Sequence, residues 1–312
     1  MEQAYSVKLT NIVEQLKLEV VYEPTDYSQL LIYSSDVHRP GLQFAGFFDY
    51  FDPTRIQLIG KMESSFLEDY PRPKRVEIIE SLMSRKIPAM IYCHDADPCE
   101  DCLMLAEKYN VPVLKTSRGT SELLAVLVGM LKRELAPRIT RHGVLVEVYG
   151  EGLLLLGESG VGKSEAAIEL LKRGHRLIAD DAVEIKQVGE NYLQGTAPDL
   201  IRYYVELRGI GVIDVRHIFG VGAVKPWQGI NLVINLEPWK EGMLYDRLGI
   251  ENQFIKILGV EVPALTVPIK PGRNLAIILE VAAMNNRQKK MGYNAAMEFT
   301  QQINKHFDEK MS

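Results

Sequence analysis

The chain has 312 residues and 41 acidic against 36 basic side chains, a net charge of −5 that argues against broad electrostatic binding to nucleic acid or to an acidic membrane. Apolar residues make up 46% of it, enough for two domain cores, yet no apolar run approaches the roughly 20 residues of a membrane helix. Three cysteines offer no disulfide framework, and Met1-Glu2-Gln3-Ala4-Tyr5 lacks the basic start of a secretory signal, so a cytoplasmic protein is expected.

Along the chain the first part reads as alternating helix and strand. Apolar spacing predicts a helix over Val7 to Leu16, and Leu18 to Tyr22 alternates as a strand does. Arg39-Pro40-Gly41 has the composition of a turn, and Phe47 and Phe48 have that of core. Ile87 to Cys93 is a short apolar strand, Cys99 to Tyr109 a helix and Val111 to Leu114 a strand. Thr120-Ser121-Glu122 opens a helix that runs to Leu135. Cys93, His94, Cys99 and Cys102 contain one C-x-x-C pair, but a structural zinc site draws on two separated pairs, so reduced thiols are expected. Pro137 ends the preceding helix, which makes Ala136 to Thr140 the linker candidate. The expected domains are 1–134, an α/β unit of unknown role, and 135–312.

The second part opens with a hairpin, Val144 to Tyr149 and Leu153 to Leu156 around Gly150-Glu151-Gly152. Gly157-Glu158-Ser159-Gly160-Val161-Gly162-Lys163-Ser164 follows and fits G-x-x-x-x-G-K-[ST] without a gap. The glycines permit backbone angles that let successive N–H groups curl around phosphates, and the helix start adds its positive dipole end. In such a loop Lys163 reaches the terminal phosphates and the Ser164 hydroxyl holds Mg²⁺. Ala167, Leu170 and Leu171 sit at helical spacing, with Gly174 as a stop. Arg176 to Ala179 reads as a strand, Ile185 to Val188 with Tyr192 to Leu193 as a hairpin, and Ile230 to Leu236 as a strand. Helices are expected over Arg273 to Met291 and Asn294 to Phe307.

Asp180 and Asp181 end an apolar strand one helix after the phosphate loop. In a right-handed strand–helix–strand unit both strands end on the same side, so the carboxylates emerge near the phosphates. One can hold Mg²⁺ and the other can take the proton of an attacking hydroxyl. His142, between Arg141 and Gly143, is open to a structural or a catalytic role. Glu206, in Val205 to Asp214, is either a metal oxygen ligand or a surface charge on an irregular strand. Arg247 can neutralise charge in phosphoryl transfer or pair on the surface.

These segments together resemble the HPr kinase/phosphorylase family. The matching residues are Arg39-Pro40-Gly41-Leu42, Arg55 to Gly60, His142 to Val146, Gly157 to Glu165, Arg173 to Asp181, Glu206 to Gly211, Tyr245 to Gly249, Pro271 to Leu275 and Glu280 to Asn285, in the family's order. The resemblance implies an α/β protein whose C-terminal phosphate-loop kinase domain has a nucleotide-binding core similar to phosphoenolpyruvate carboxykinase. It implies phosphorylation by ATP of a serine of the phosphocarrier HPr, and removal of that phosphate by phosphorolysis, with inorganic phosphate as acceptor and pyrophosphate as product, in bacterial carbon catabolite control. It further implies a homohexamer regulated by fructose 1,6-bisphosphate. By matching motif, Gly157, Glu158, Ser159, Gly160, Val161, Gly162, Lys163 and Ser164 bind nucleotide, Ser164 and Glu206 ligate Mg²⁺, and Asp181 is the base, with His142, Lys163 and Arg247 as its catalytic partners. A small-molecule kinase and a nucleotide sensor without transferase activity are the rival expectations.

Overall fold

In the computed structural model, residues 5–243, 253–270 and 272–311 are described, with side chains to 306. The chain divides into two compact units, Met1–Ala136 and Pro137–Ser312. In the first, the elements are β1 (Val7–Lys8), α1 (Leu9–Leu16), β2 (Glu19–Tyr22), β3 (Leu31–Ile32), β4 (Val37–His38), α2 (Gly41–Phe44), β5 (Ile56–Ile59), α3 (Lys61–Glu68), α4 (Arg72–Met83), β6 (Met90–Tyr92), α5 (Glu100–Tyr109), β7 (Val113–Lys115) and α6 (Thr120–Glu134). A five-stranded sheet of order β2-β7-β6-β5-β4 is parallel from β4 to β7, with β2 antiparallel at one edge.

That sheet is covered on both faces, as parallel strands require, and strand alternation decides which residue faces which layer. Ile56, Leu58, Ile91 and Leu114 pack with Ile12 of α1 and with Leu123 and Leu127 of α6. Ile59, Met90, Tyr92 and Val113 pack instead with Leu67 of α3, Ile79 and Leu82 of α4, and Leu105 of α5. The cysteines follow the same division. Cys93 lies in the first layer and Cys102 in the second, where it accepts a hydrogen bond from the Tyr92 hydroxyl at 3.3 Å. Burial pushes the Cys102 thiol up to about 12. Phe48 packs against the second layer as expected, whereas Phe47 is exposed.

In the second unit the elements are β8 (Arg138–His142), β9 (Val144–Val148), β10 (Glu151–Gly157), α7 (Lys163–Lys172), β11 (Arg176–Ala179), β12 (Ala182–Gly189), β13 (Tyr192–Thr196), β14 (Tyr204–Leu207), β15 (Gly211–Asp214), α8 (Val215–Phe219), β16 (Trp227–Gly229), β17 (Leu232–Pro238), β18 (Gln253–Ile257), β19 (Val260–Ile269), α9 (Leu275–Lys290) and α10 (Ala295–Met311). The main sheet has the order β11-β9-β10-β17-β19-β18 and is mixed: β10, β17 and β19 are mutually parallel, and β9 runs antiparallel between β10 and β11. Because β10 and β11 are both antiparallel to β9, they point the same way and end on the same side of the sheet. The phosphate loop and the aspartate pair therefore share an edge, although their strands are not neighbours.

One face of this sheet, with Val146, Leu153 and Leu155, packs on Ala167 and Leu170 of α7 and on Leu279 and Ala283 of α9. Leu145, Leu154 and Val233 face the other way, onto Val183, Ile185 and Leu193 of a second sheet of order β16-β13-β12-β8. The expected linker over Ala136 to Thr140 contains the division between the units, at Ala136 and Pro137, but is shorter than expected: from Arg138 onward the chain is strand β8, paired with β12 so that His142 lies opposite Ala182. Pro137 does stop the helix, but the polar alternation Arg138-Ile139-Thr140-Arg141 is that of a strand with one wet face.

Leu154 is fully buried between the two sheets. Leu154→Ala is expected to cost about 3 kcal/mol through lost apolar transfer plus a residual cavity. Both tryptophans, Trp227 and Trp239, lie in the second unit. Urea unfolding followed by tryptophan fluorescence therefore reads that unit directly, and a lowered midpoint at unchanged slope checks the expectation.

Candidate active site

The loop between β10 and α7 takes its shape from its glycines. Gly157, Gly160 and Gly162 have φ of 146°, 83° and 99°, a region that side chains avoid. Gly157 also lies against the Leu236 carbonyl of β17, where a Cβ has no room. Gly162 is the N-cap of α7, so the free N–H groups of the helix start face the loop's interior. Lys163 is 6% exposed, and its Nζ donates to the carbonyls of Gly157 and Glu158 at 2.8 and 2.9 Å. Burial draws the ammonium below its ordinary value, against the opposing pull of Asp180, Asp181 and Glu165.

The two aspartates after β11 have separate environments. Asp180 is 4% exposed; its Oδ1 accepts from the Ser164 hydroxyl at 2.8 Å, and its Oδ2 accepts from the backbone N–H of Glu206 at 3.2 Å. Burial raises its carboxyl above the usual range, with the Asp181 charge adding to the rise, while the Ser164 and Glu206 hydrogen bonds oppose it. Asp181 has a φ of 68°, strained for a residue with a Cβ, and its side chain is 68% exposed. That left-handed turn directs it away from its neighbour, toward His142, whose Nδ1 stands 3.0 Å from Asp181 Oδ1. The Asp181 carbonyl accepts from the Gly143 N–H at 3.0 Å, so the last residue of β8 holds the side chain and the residue after it holds the backbone.

A separate two-stranded ribbon, β14 with β15, closes the third side. Its Val205 is buried in the core beside α7, and Glu206 and Arg208 reach the cavity lined by His142, Lys163, Ser164, Asp180 and Asp181. Arg208 Nη2 donates to Ser159 Oγ at 3.1 Å, and a Cβ on Gly160 would stand 2.6 Å from Arg208 Nη1. The bare Gly160 thus lets the guanidinium lie on the loop.

The structure brings together Ser159, Gly160, Gly162, Lys163, Ser164, His142, Asp181 and Glu206 around this cavity; Gly157, Glu158 and Val161 belong to the same loop but do not line it. Arg247 lies outside the described residues. The sequence reading missed Arg208. Its signal was its place between Glu206, near the end of a strand, and Gly209, in the turn that follows. The donor set suits Mg²⁺: the Ser164 hydroxyl, the buried Asp180 carboxylate and Glu206 are all hard oxygens. Among the described residues no cluster of three His, Cys, Asp or Glu forms a metal cage by itself. Mg²⁺ typically takes one or two carboxylates and completes its shell with substrate phosphates and water, and this arrangement fits that pattern.

The HPr Serine kinase N terminus family model matches residues 7–131, and the HPr Serine kinase C-terminal domain model matches residues 133–303. The HPr kinase/phosphorylase of Caldicellulosiruptor bescii is 53% identical over 294 residues, 94% of each chain. That of Lachnoclostridium phytofermentans is 51% identical over 299 residues, 96% of this chain and 97% of the relative. A solved structure of the Hpr(Ser) kinase/phosphatase from Coxiella burnetii matches 52% of this chain and 98% of that one, with 37% identity and a TM-score of 0.47. With both halves matched and nearly the full length of such relatives aligned, the chain belongs to the HPr kinase/phosphorylase family.

Proposed function

We propose that this chain transfers the γ-phosphoryl group of ATP to a serine of HPr and removes it again with inorganic phosphate, releasing pyrophosphate. The observation that carries the reading is the division of labour between adjacent carboxylates. Asp180 is buried and committed to Ser164 and the ribbon. Asp181 stands exposed at the mouth, held by His142, where an acceptor on another macromolecule can reach it. A nucleotide sensor without transferase activity has no use for a base so positioned, and a small-molecule kinase needs no mouth this open.

In the forward direction Asp181 takes the proton of the serine hydroxyl as its oxygen bonds to the γ-phosphorus and the bond to ADP breaks. In reverse, a phosphate oxygen bonds to the phosphoserine phosphorus, the serine oxygen leaves, and Asp181 returns the proton. His142 is the positioning partner of Asp181, its Nδ1–H fixing the carboxylate. Lys163 and the N–H groups of Gly160, Gly162 and Ser164 cradle the phosphates, with Gly157, Glu158, Ser159 and Val161 shaping the loop. Ser164 and Glu206 would hold Mg²⁺, which when bound would supply positive charge to the transferring phosphoryl group. Arg247 adds a further positive charge. The homohexamer, regulation by fructose 1,6-bisphosphate, the role in carbon catabolite control and a cytoplasmic location complete the proposal on the strength of the family resemblance.

Incubating the protein with HPr and Mg-ATP is expected to label one HPr serine, and adding inorganic phosphate to the labelled product is expected to yield pyrophosphate. Failure of either half rejects that direction of the reaction. Asp181→Asn should retain nucleotide binding by calorimetry while transfer falls by roughly 10²–10⁴-fold; near wild-type transfer rejects the base. Lys163→Met is expected to weaken nucleotide binding itself, so the two variants separate binding from proton transfer.

A further inference from the structure

The carboxyl ends of four adjacent parallel strands of the N-terminal unit converge on a second cavity, which the proposed reaction does not use. It is open to solvent and measures about 350 Å³. Of its lining, Arg39 follows β4, Lys61 and Met62 follow β5, His94 follows β6, and Gly119, Thr120 and Ser121 follow β7. The connections leave to opposite sides: α3, after β5, packs on one face of the sheet, and α6, after β7, packs on the other. Chain segments that part in this way leave a crevice at the strand ends, the usual place for a ligand in an open α/β sheet.

Two of the polar side chains here, Glu63 and Thr120, are buried, and exposed Arg39, Lys61, His94 and Ser121 surround them. Glu63 is 6% exposed, accepts from Arg39 Nε and Nη2 at 3.1 Å each, and accepts a third bond from the Gly60 N–H at 3.0 Å. A buried carboxylate is thereby used to fix one guanidinium, whose Nη1 has no partner among the described residues. Lys61 Nζ, the His94 ring and the Ser121 hydroxyl have none there either. Thr120 is 6% exposed and sits so close that a Cβ on Gly60 would stand 2.5 Å from its Oγ1; one on Gly119 would stand 3.3 Å from His94 Cε1. Gly60 and Gly119 are the N-caps of α3 and α6 and supply no side-chain cap, so both helix starts leave N–H donors facing the same space. The acid on the rim, Glu122, has Arg118 3.7 Å away. With Glu63 and Glu122 matched by Arg39 and Arg118, Lys61 remains to set the sign.

Cationic side chains, uncapped N–H donors and two hydroxyls without any free carboxylate form a set that recognises a tetrahedral oxyanion. We propose that this crevice binds the phosphate group of a small molecule, as free phosphate or as a phosphate monoester. The site is independent of the phosphoryl-transfer centre and stands or falls apart from it.

Hydrogen–deuterium exchange of the full-length protein, read by mass spectrometry, tests it. The additions are inorganic phosphate, ribose 5-phosphate and sodium chloride at matched ionic strength. Phosphate or ribose 5-phosphate is expected to slow exchange about threefold in peptides spanning 60–66 and 118–124 at ligand concentrations a few times the dissociation constant. The more effective of the two identifies the source of the phosphate group. Lys61→Glu should abolish that protection while leaving phosphate protection of 157–164 intact, which also shows that the variant is folded. Protection confined to 157–164, equal protection by sodium chloride, or protection of 60–66 that survives Lys61→Glu overturns the proposal.

Discussion

The buried carboxylate of Asp180 is the constraint around which the catalytic unit is assembled. It reaches the first turn of α7 through the Ser164 hydroxyl and the ribbon through the Glu206 N–H, so three segments distant in sequence meet at two oxygens. A carboxylate withdrawn from water is costly unless its lone pairs are satisfied, and two neutral donors offset only part of that cost. Burial accordingly raises its proton affinity. A positive charge placed beside it would offset that cost, and the carboxylate stands at a strand end, directly after β11.

Two neighbouring aspartates could have competed for one task. The left-handed backbone at Asp181 prevents this by turning the second side chain out toward His142. The strain is sustained because Gly143, directly after β8, grips the same residue, and β8 lies in register with β12 just beyond it. Packing of β8 into the second sheet therefore has a chemical consequence: it fixes the exposed acid relative to the phosphate loop.

Much of this was legible from residues alone, for identifiable reasons. The phosphate loop was readable because its backbone angles admit almost nothing but glycine at Gly157, Gly160 and Gly162. The paired aspartates were readable as a site, but not which of them is buried, since that depends on Ser164 and Glu206 arriving from other segments. The segment from Gly41 to Lys86 gave few expectations: β5 is four residues long and wholly buried, so it has no alternation to detect, and the α4 sequence Arg72-Pro73-Lys74-Arg75 hides an apolar stripe behind charges. β8 was mistaken for a linker because Pro137 is a strong stop signal and the strand's wet face is basic. In β19, Pro263 and Pro268 weaken a strand signal that the neighbouring parallel β17 nonetheless enforces.

The ribbon of β14 and β15 belongs to neither large sheet. Its main apolar anchor is Val205, and its tip turns through Gly209 and Gly211, both at positive φ. Two-stranded ribbons have little stability of their own. The piece that delivers Glu206 and Arg208 is therefore held in place by what it touches, the core through Val205, Asp180 through the Glu206 N–H and the phosphate loop through Arg208, so the shape of this wall is set by the site itself rather than by a sheet.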